Sequence, residues 1–198
     1  AEGTDGSTTI IDESPSARTL TVSGAASIKT ASALVQTSSP AVNYAGESSG
    51  YVQAAASADF NFGTGDFTIE GYAKSTVNDA TWYHSILGNY SGGDANSWSV
   101  FLRNNSNNFL QFNVSGATNL TGTTDLNNTK FHFAVSRNGG TARLFVNGVM
   151  EAKSTTYAAV NVGGTGAVRI GGNQSGVNDM WRGLLDEMRG LLARGVPE

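Results

Sequence analysis

The groups able to carry acid–base or metal chemistry are few: 16 Asp and Glu, two His and no Cys in 198 residues. Glycoside hydrolysis needs an acid and a second carboxylate facing each other across a sugar, roughly 5–9.5 Å apart. Glu70 is the only acid in its stretch. Asp186 and Glu187 are adjacent, which in a strand turns them to opposite faces. His84 and His132 sit in strand-like surroundings without a serine elbow or a companion ligand, so neither a triad nor a zinc site is spelled out. We expect a chain that is not an enzyme. A different set suits binding: Trp82, Tyr83, Tyr90 and Trp98 offer rings for stacking on a pyranose, and Asn89 and Asn96 offer amides for hydrogen bonds. The same residues have a structural reading, with Trp98 filling a core and Trp181 covering a sheet edge. Asp59, Asp66 and Asp94 lie among turn residues.

These side chains must be positioned by short strands. FHFAVSRNGGTARLFVNGVMEAK (residues 131–153) alternates apolar and polar residues and is broken by Asn138-Gly139-Gly140 and Asn147-Gly148, the signature of tight hairpins. Further strands are expected at 18–23, 41–44, 51–53, 67–72, 84–90, 98–104, 109–115 and 167–171. The turn Asn104–Asn108 separates two of them. The end of the chain, GLLDEMRGLLARGVPE, is ambiguous. Leu184, Leu185, Met188, Leu191 and Leu192 fall at helical spacing, whereas Gly183 and Gly190 bracket a unit of strand length.

Gly supplies 25 residues, hydrophobic residues 39% and charged residues 14%. That composition builds a core with many tight turns and disfavours long helices. Absent cysteine removes disulfides and thiolate metal sites. A net charge of −4 is unsuited to a phosphate backbone, so no nucleic-acid partner is expected. No apolar run approaches a membrane span, and AEGTDGSTTI lacks the basic and apolar regions of a secretory signal. For the start at Ala1 we expect removal of an initiator Met before a small residue, a simpler account than removal of a signal, which stays open. We expect an N-terminal arm or edge strand over 1–16 and one β-sandwich domain over 17–198.

FNFGTGDFTIEGYAK, then FHFAVSRNGGTARLFVNGVMEA, then VRIGG and WRGLLDEMRG, with the opening TDGSTTIIDESPSARTLTVSG, resemble in that order the laminin-G-like branch of the concanavalin A-like lectin and glucanase superfamily. The resemblance spans nearly the whole chain. It implies an all-β fold, an antiparallel two-sheet jelly-roll β-sandwich, and makes GLLDEMRG the last strand. Glucanases of that superfamily carry their acids about two residues apart on one strand, and no such E-x-D pattern occurs here. Many relatives hold a structural calcium through an acid of the last strand, an N-terminal residue and backbone carbonyls. The resemblance implies Asp186 and Asp12 for that role, with oxygen-only ligation suited to Ca²⁺. Asp186 otherwise caps a turn or pairs with Arg182 or Arg189. No other cofactor is required.

The opening stretch is also similar to forms common in tailed-phage proteins. That likeness implies a non-enzymatic virion protein made in the host cytoplasm and displayed on the particle surface. It would be a capsid decoration protein or a head or tail fibre component. Its partner would be the major capsid protein or another virion protein, or a second copy of itself, docked through residues 1–11 or the terminal LLARGVPE. The alternative is a lectin module recognising host or environmental glycans.

Overall fold

The computed structural model describes residues 4–32, 34, 41–44, 50–76, 83–103, 107–117, 119–174 and 179–192. Among them fourteen strands follow in chain order. They are β1 (Leu20–Ser23), β2 (Ala26–Lys29), β3 (Ala41–Tyr44), β4 (Tyr51–Ala54), β5 (Phe67–Ser75), β6 (His84–Gly88) and β7 (Trp98–Arg103). Then come β8 (Phe109–Val114), β9 (Leu120–Thr121), β10 (Lys130–Asn138), β11 (Thr141–Val146), β12 (Val149–Ser154), β13 (Val168–Ile170) and β14 (Gly183–Leu192). Two short 3-10 turns, Thr30–Ser32 and Ala58–Phe60, complete the described elements.

The strands form two seven-stranded antiparallel sheets. The first has the order β1-β4-β13-β6-β7-β8-β9 and the second β12-β11-β10-β5-β14-β3-β2. This is the expected two-sheet sandwich. The end of the chain is a strand: β14 lies between β5 and β3, where its ladders outweigh the local helical spacing of its leucines. β2 and β9 have no counterpart among the expected strands. β2 is read from ASIK, a stretch whose small residues give little pattern, and β9 is two residues long.

Strict alternation places every second residue of β5, β10 and β11 inside. Phe67, Ile69, Phe133, Val135 and Leu144 from the second sheet meet Trp98, Val100, Leu110 and Phe112 from the first. The two hairpin turns have positive φ at both central residues, +55° and +78° at Gly139 and Gly140, +48° and +79° at Asn147 and Gly148. That geometry matches strand twist, which is why Asn-Gly and Gly-Gly close these loops.

Alternation also brings a charge inside. Arg137, buried to 2% exposure, lies opposite Phe67 and stacks on its ring with the guanidinium carbon 5.1 Å from the centroid. Its guanidinium donates to the carbonyls of Gly65 (2.7 Å), Gly63 (2.8 Å) and Val160 (2.6 Å). Burial lowers its pKa. The side chain thus ties the 63–65 turn to the 157–160 loop. At the far edge of the sandwich, Glu151 of β12 accepts the N–H groups of Thr123 and Thr124 beyond β9, which links the two sheets. The N-terminal segment runs beside β2, with Gly6 N–H donating to Ile28 O and Ile28 N–H to Ser7 O, both 2.8 Å.

Candidate glycan-binding face

The expected aromatic–amide cluster divides on folding. Trp98 and Asn89 are interior residues, each about 1% exposed. Asn89 accepts the Trp98 N–H (3.0 Å) and donates to Gly163 O (2.6 Å), while the Trp98 indole donates to Phe60 O (3.3 Å). Their polar atoms hold loops together instead of facing a surface. Asn96 is half-buried in a turn at φ +69° and accepts the Gly163 N–H. Tyr90 is half-buried, and its carbonyl accepts the Gln174 N–H. Tyr83 is exposed (48%), standing edge-on to Phe101 with centroids 5.3 Å apart. Trp82 lies outside the described residues. Trp181 is buried in the core.

A different constellation appears on the outer face of the first sheet. Inward positions of β7 and β8 are apolar, so their alternate residues turn outward. The pairings Thr21↔Gln53, Gln53↔Arg169, Arg169↔Gly88, Gly88↔Ser99 and Ser99↔Asn113 align one row across five neighbouring strand pairs. The row reads Thr, Gln, Arg, Gly, Ser, Asn. Gly88 sits in its middle, where the Trp98 carbonyl and the Ser99 backbone approach too closely to admit a Cβ. A second row follows with Ser85, Phe101, Gln111 and Thr121. Arg169 is fixed over the Tyr51 ring (4.1 Å), donates to Gln53 Oε1 (2.9 Å) and to Asn173 O (2.6 Å), and so presents a rigid cation. Asn113 donates to Asn119 Oδ1 and Gln111 to Thr121 Oγ1, both 2.6 Å. Of these side chains Gln53, Arg169, Asn113 and Thr121 are half-buried and Tyr83 is exposed, whereas Ser85, Ser99 and Gln111 are buried; the rings of the face are Tyr51, Phe101 and Tyr83. The alternation of Gln111 and Asn113 with Leu110, Phe112 and Val114 is visible in the sequence. That β13 inserts between β4 and β6, bringing Arg169 beside Gln53, is not.

The acids sit elsewhere. Asp12 and Asp186 both line a cavity between the sheets. Asp12 accepts the N–H of Ser14 and of Arg18 (both 2.9 Å) and pairs with the Arg18 guanidinium at 3.2 Å. Partial burial pushes its carboxyl up, but these donors hold it at about 2. Burial raises Asp186, against the N–H groups of Glu187 and Leu34 that its carboxylate accepts. Among the described residues no three His, Asp or Glu converge as a metal-binding group. Arg189 pairs with Glu187 (2.5 Å) and Glu70 (3.9 Å), not with Asp186.

One expectation is corrected by geometry. Asp186 and Glu187 do not simply alternate, because β14 bulges there: Asp186 is opposite Tyr72 and Arg189 opposite Glu70, leaving two residues against Gly71. Glu187 takes φ +51°, and both acids line the cavity. On the outer face of the second sheet, His132 approaches Glu70 at 3.7 Å and packs on Tyr72 at 4.7 Å between ring centroids. His84 is buried on β6.

Two packed antiparallel sheets with a polar, ring-edged outer face define a lectin-type β-sandwich. The chain belongs to the concanavalin A-like lectin/glucanases superfamily, residues 46–190 matching its laminin G profile. No curated protein sequence matches it significantly. Among solved structures, the binding domain of Paraclostridial mosquitocidal protein 1 aligns with a TM-score of 0.71 at 13% identity, covering 98% of this chain and 48% of that one. The botulinum neurotoxin type C structure described as dependent on two ganglioside molecules for cell entry aligns with a TM-score of 0.67 at 13% identity, over 96% and 46% of the chains. Domain 4 of AbnA, a GH43 extracellular arabinanase from Geobacillus stearothermophilus, in complex with arabinotriose, aligns with a TM-score of 0.63 at 14% identity, over 88% and 81%. The chain spans about half the length of the toxin domains it resembles.

Proposed function

We propose that this protein is a non-catalytic glycan-binding module that uses the outer face of its first sheet. The observation that carries the reading is the polar row through Gln53, Arg169 and Asn113, half-buried at fixed spacing on the outer face, beside Tyr51, Phe101 and the exposed Tyr83. Sugars need directional donors and acceptors together with a ring to stack on, and this face has both. The similarity to domains named with ganglioside and arabinotriose supports the same class. A glycan array followed by calorimetry tests it. Binding should weaken about tenfold in Asn113→Ala and in Tyr83→Ala, both without loss of folding. Failure to retain any glycan, or undiminished binding by both variants, rejects the reading.

A second reading, display on a phage particle as a decoration or fibre protein, is compatible with the first. It is supported by the exposed apolar pair Val149 (66%) and Met150 (50%) beside the Asn147–Gly148 turn, a place for protein contact. The comparisons favour the glycan reading. Quantitative mass spectrometry of purified particles decides: hundreds of copies indicate decoration, tens a fibre, and absence rejects the display reading. Of the expected docking segments, residues 1–3 and 193–198 lie outside the described residues.

A further inference from the structure

We propose that the outer face of the first sheet takes carboxylate-bearing saccharides, with Arg169 as the group that holds the carboxylate. The inference rests on the glycan-binding reading and names its ligand class. The chain is acidic overall, with a net charge of −4. Yet the seven strands of the first sheet contain no Asp or Glu, and, His84 aside, their ionisable residues other than tyrosine are Arg103 and Arg169. The acids carried by strands, Glu70, Glu151, Asp186 and Glu187, all belong to the second sheet. The strands of this face are therefore cationic on an acidic molecule.

The charge of Arg169 is not compensated. Its Nε donates to Gln53 Oε1 and its Nη1 to Asn173 O, both neutral acceptors. Asp179, beyond Asn173, accepts the Asn173 Nδ2–H at 2.9 Å and makes no ion pair with Arg169. Arg18 and Arg189, by contrast, are each held by two carboxylates. A guanidinium has five N–H donors, so two are engaged here, and Nη2 has no acceptor among the described residues and is open to solvent. Tyr51 lies against one face of the group, 4.1 Å from its carbon. The ring and the two hydrogen bonds fix the plane of the guanidinium and leave N–H groups in that plane for a ligand. A carboxylate is the anion that accepts from such a fork side by side, and little further ordering is needed to bind it. Asn113 lies three strands along the same row, roughly 14 Å away at the usual strand spacing. A ligand that reaches both is an oligosaccharide with its acidic residue at the Arg169 end.

The test is an array on which sialylated and uronate-containing saccharides stand beside their neutral counterparts, asialo glycans and uronate methyl esters, with sulfated saccharides as a third set. Carboxylate-bearing members should bind about tenfold more tightly than their counterparts. Calorimetry on the pair that binds best then compares two variants. Arg169→Gln removes the cation. Gln53→Glu keeps it but places a carboxylate on its Nε, where the amide oxygen now stands at 2.9 Å. Each variant should bring the tenfold ratio close to one. Retention of neutral glycans alone, or equal binding within each pair, overturns the inference and leaves the glycan-binding reading standing; retention of no glycan rejects both. A preference for sulfated over carboxylate-bearing members overturns the assignment of the carboxylate. An undiminished ratio in either folded variant overturns the role of Arg169. Gln53→Glu supplies that outcome even where Arg169→Gln fails to fold, because it exchanges an amide for a carboxylate of the same shape and completes an ion pair.

Discussion

At the scale of single residues, two side chains carry more than their sequence context suggests. Asp12 accepts three donors within one turn, and its carboxyl is held at about 2. A depressed folded value means that its contribution to stability is complete above about pH 4 and is lost as pH falls towards 2. Asp12→Asn should therefore cost about 1 kcal/mol at pH 7 in denaturant titrations, and the difference from wild type should close near pH 2. Arg137 is the larger case. Its removal leaves the part-buried carbonyls of Gly65 and Val160 without their donor and Gly63 with the Val162 N–H alone. Arg137→Met should lower unfolding free energy by about 3–4 kcal/mol, and Arg137→Lys, with one nitrogen for three carbonyls, should recover less than half. Neither role is legible in the sequence, where Asp12 is one acid among 16 and Arg137 one polar residue of an alternating strand.

At the scale of elements, the β14 bulge shows what a pattern of residue types leaves open. Leu184, Leu185 and Met188 fit either a helix or a strand. The ladders to β5 and β3 make a strand, and the extra residue lets Met188 lie over Gly71. A Cβ at position 71 would strike the Met188 thioether and come within 3.1 Å of the Phe133 ring. Gly71→Ala should cost about 1–3 kcal/mol, and Met188→Ala should relieve part of that loss, so that the double variant is less destabilised than the sum of the singles. Chemical denaturation of the four proteins measures that coupling. The hairpins behave oppositely: local turn residues settle them, because Asn147-Gly148 and Gly139-Gly140 adopt positive φ with little strain.

At the scale of the whole molecule, two sheets share one core, and their order places remote segments side by side. β13, more than a hundred residues beyond β4, inserts between β4 and β6, and that crossing assembles the polar row of the candidate face. Stability resting on this packing, with Asp12 already satisfied by Ser14 and Arg18, should be indifferent to calcium. Thermal unfolding in EGTA and in millimolar Ca²⁺ should agree within about 1 °C; a rise of several degrees in calcium would reinstate these acids as ligands.

The sequence by itself determined the all-β class, most of the strands and both hairpin turns, because alternation and Gly or Asn at positive φ are local properties of the chain. It also contained every side chain of the candidate face. Tertiary structure alone decided which of them meet. Trp98 and Asn89 look like surface binders until packing encloses them, whereas Gln53 and Arg169, far apart in sequence, become neighbours, and Asn113 joins their row, only through strand order. The bulge that turns Asp186 and Glu187 to one cavity likewise exists only because β5 and β14 pair out of step. Strand order and register arise from contacts between distant segments, and no local spacing encodes them.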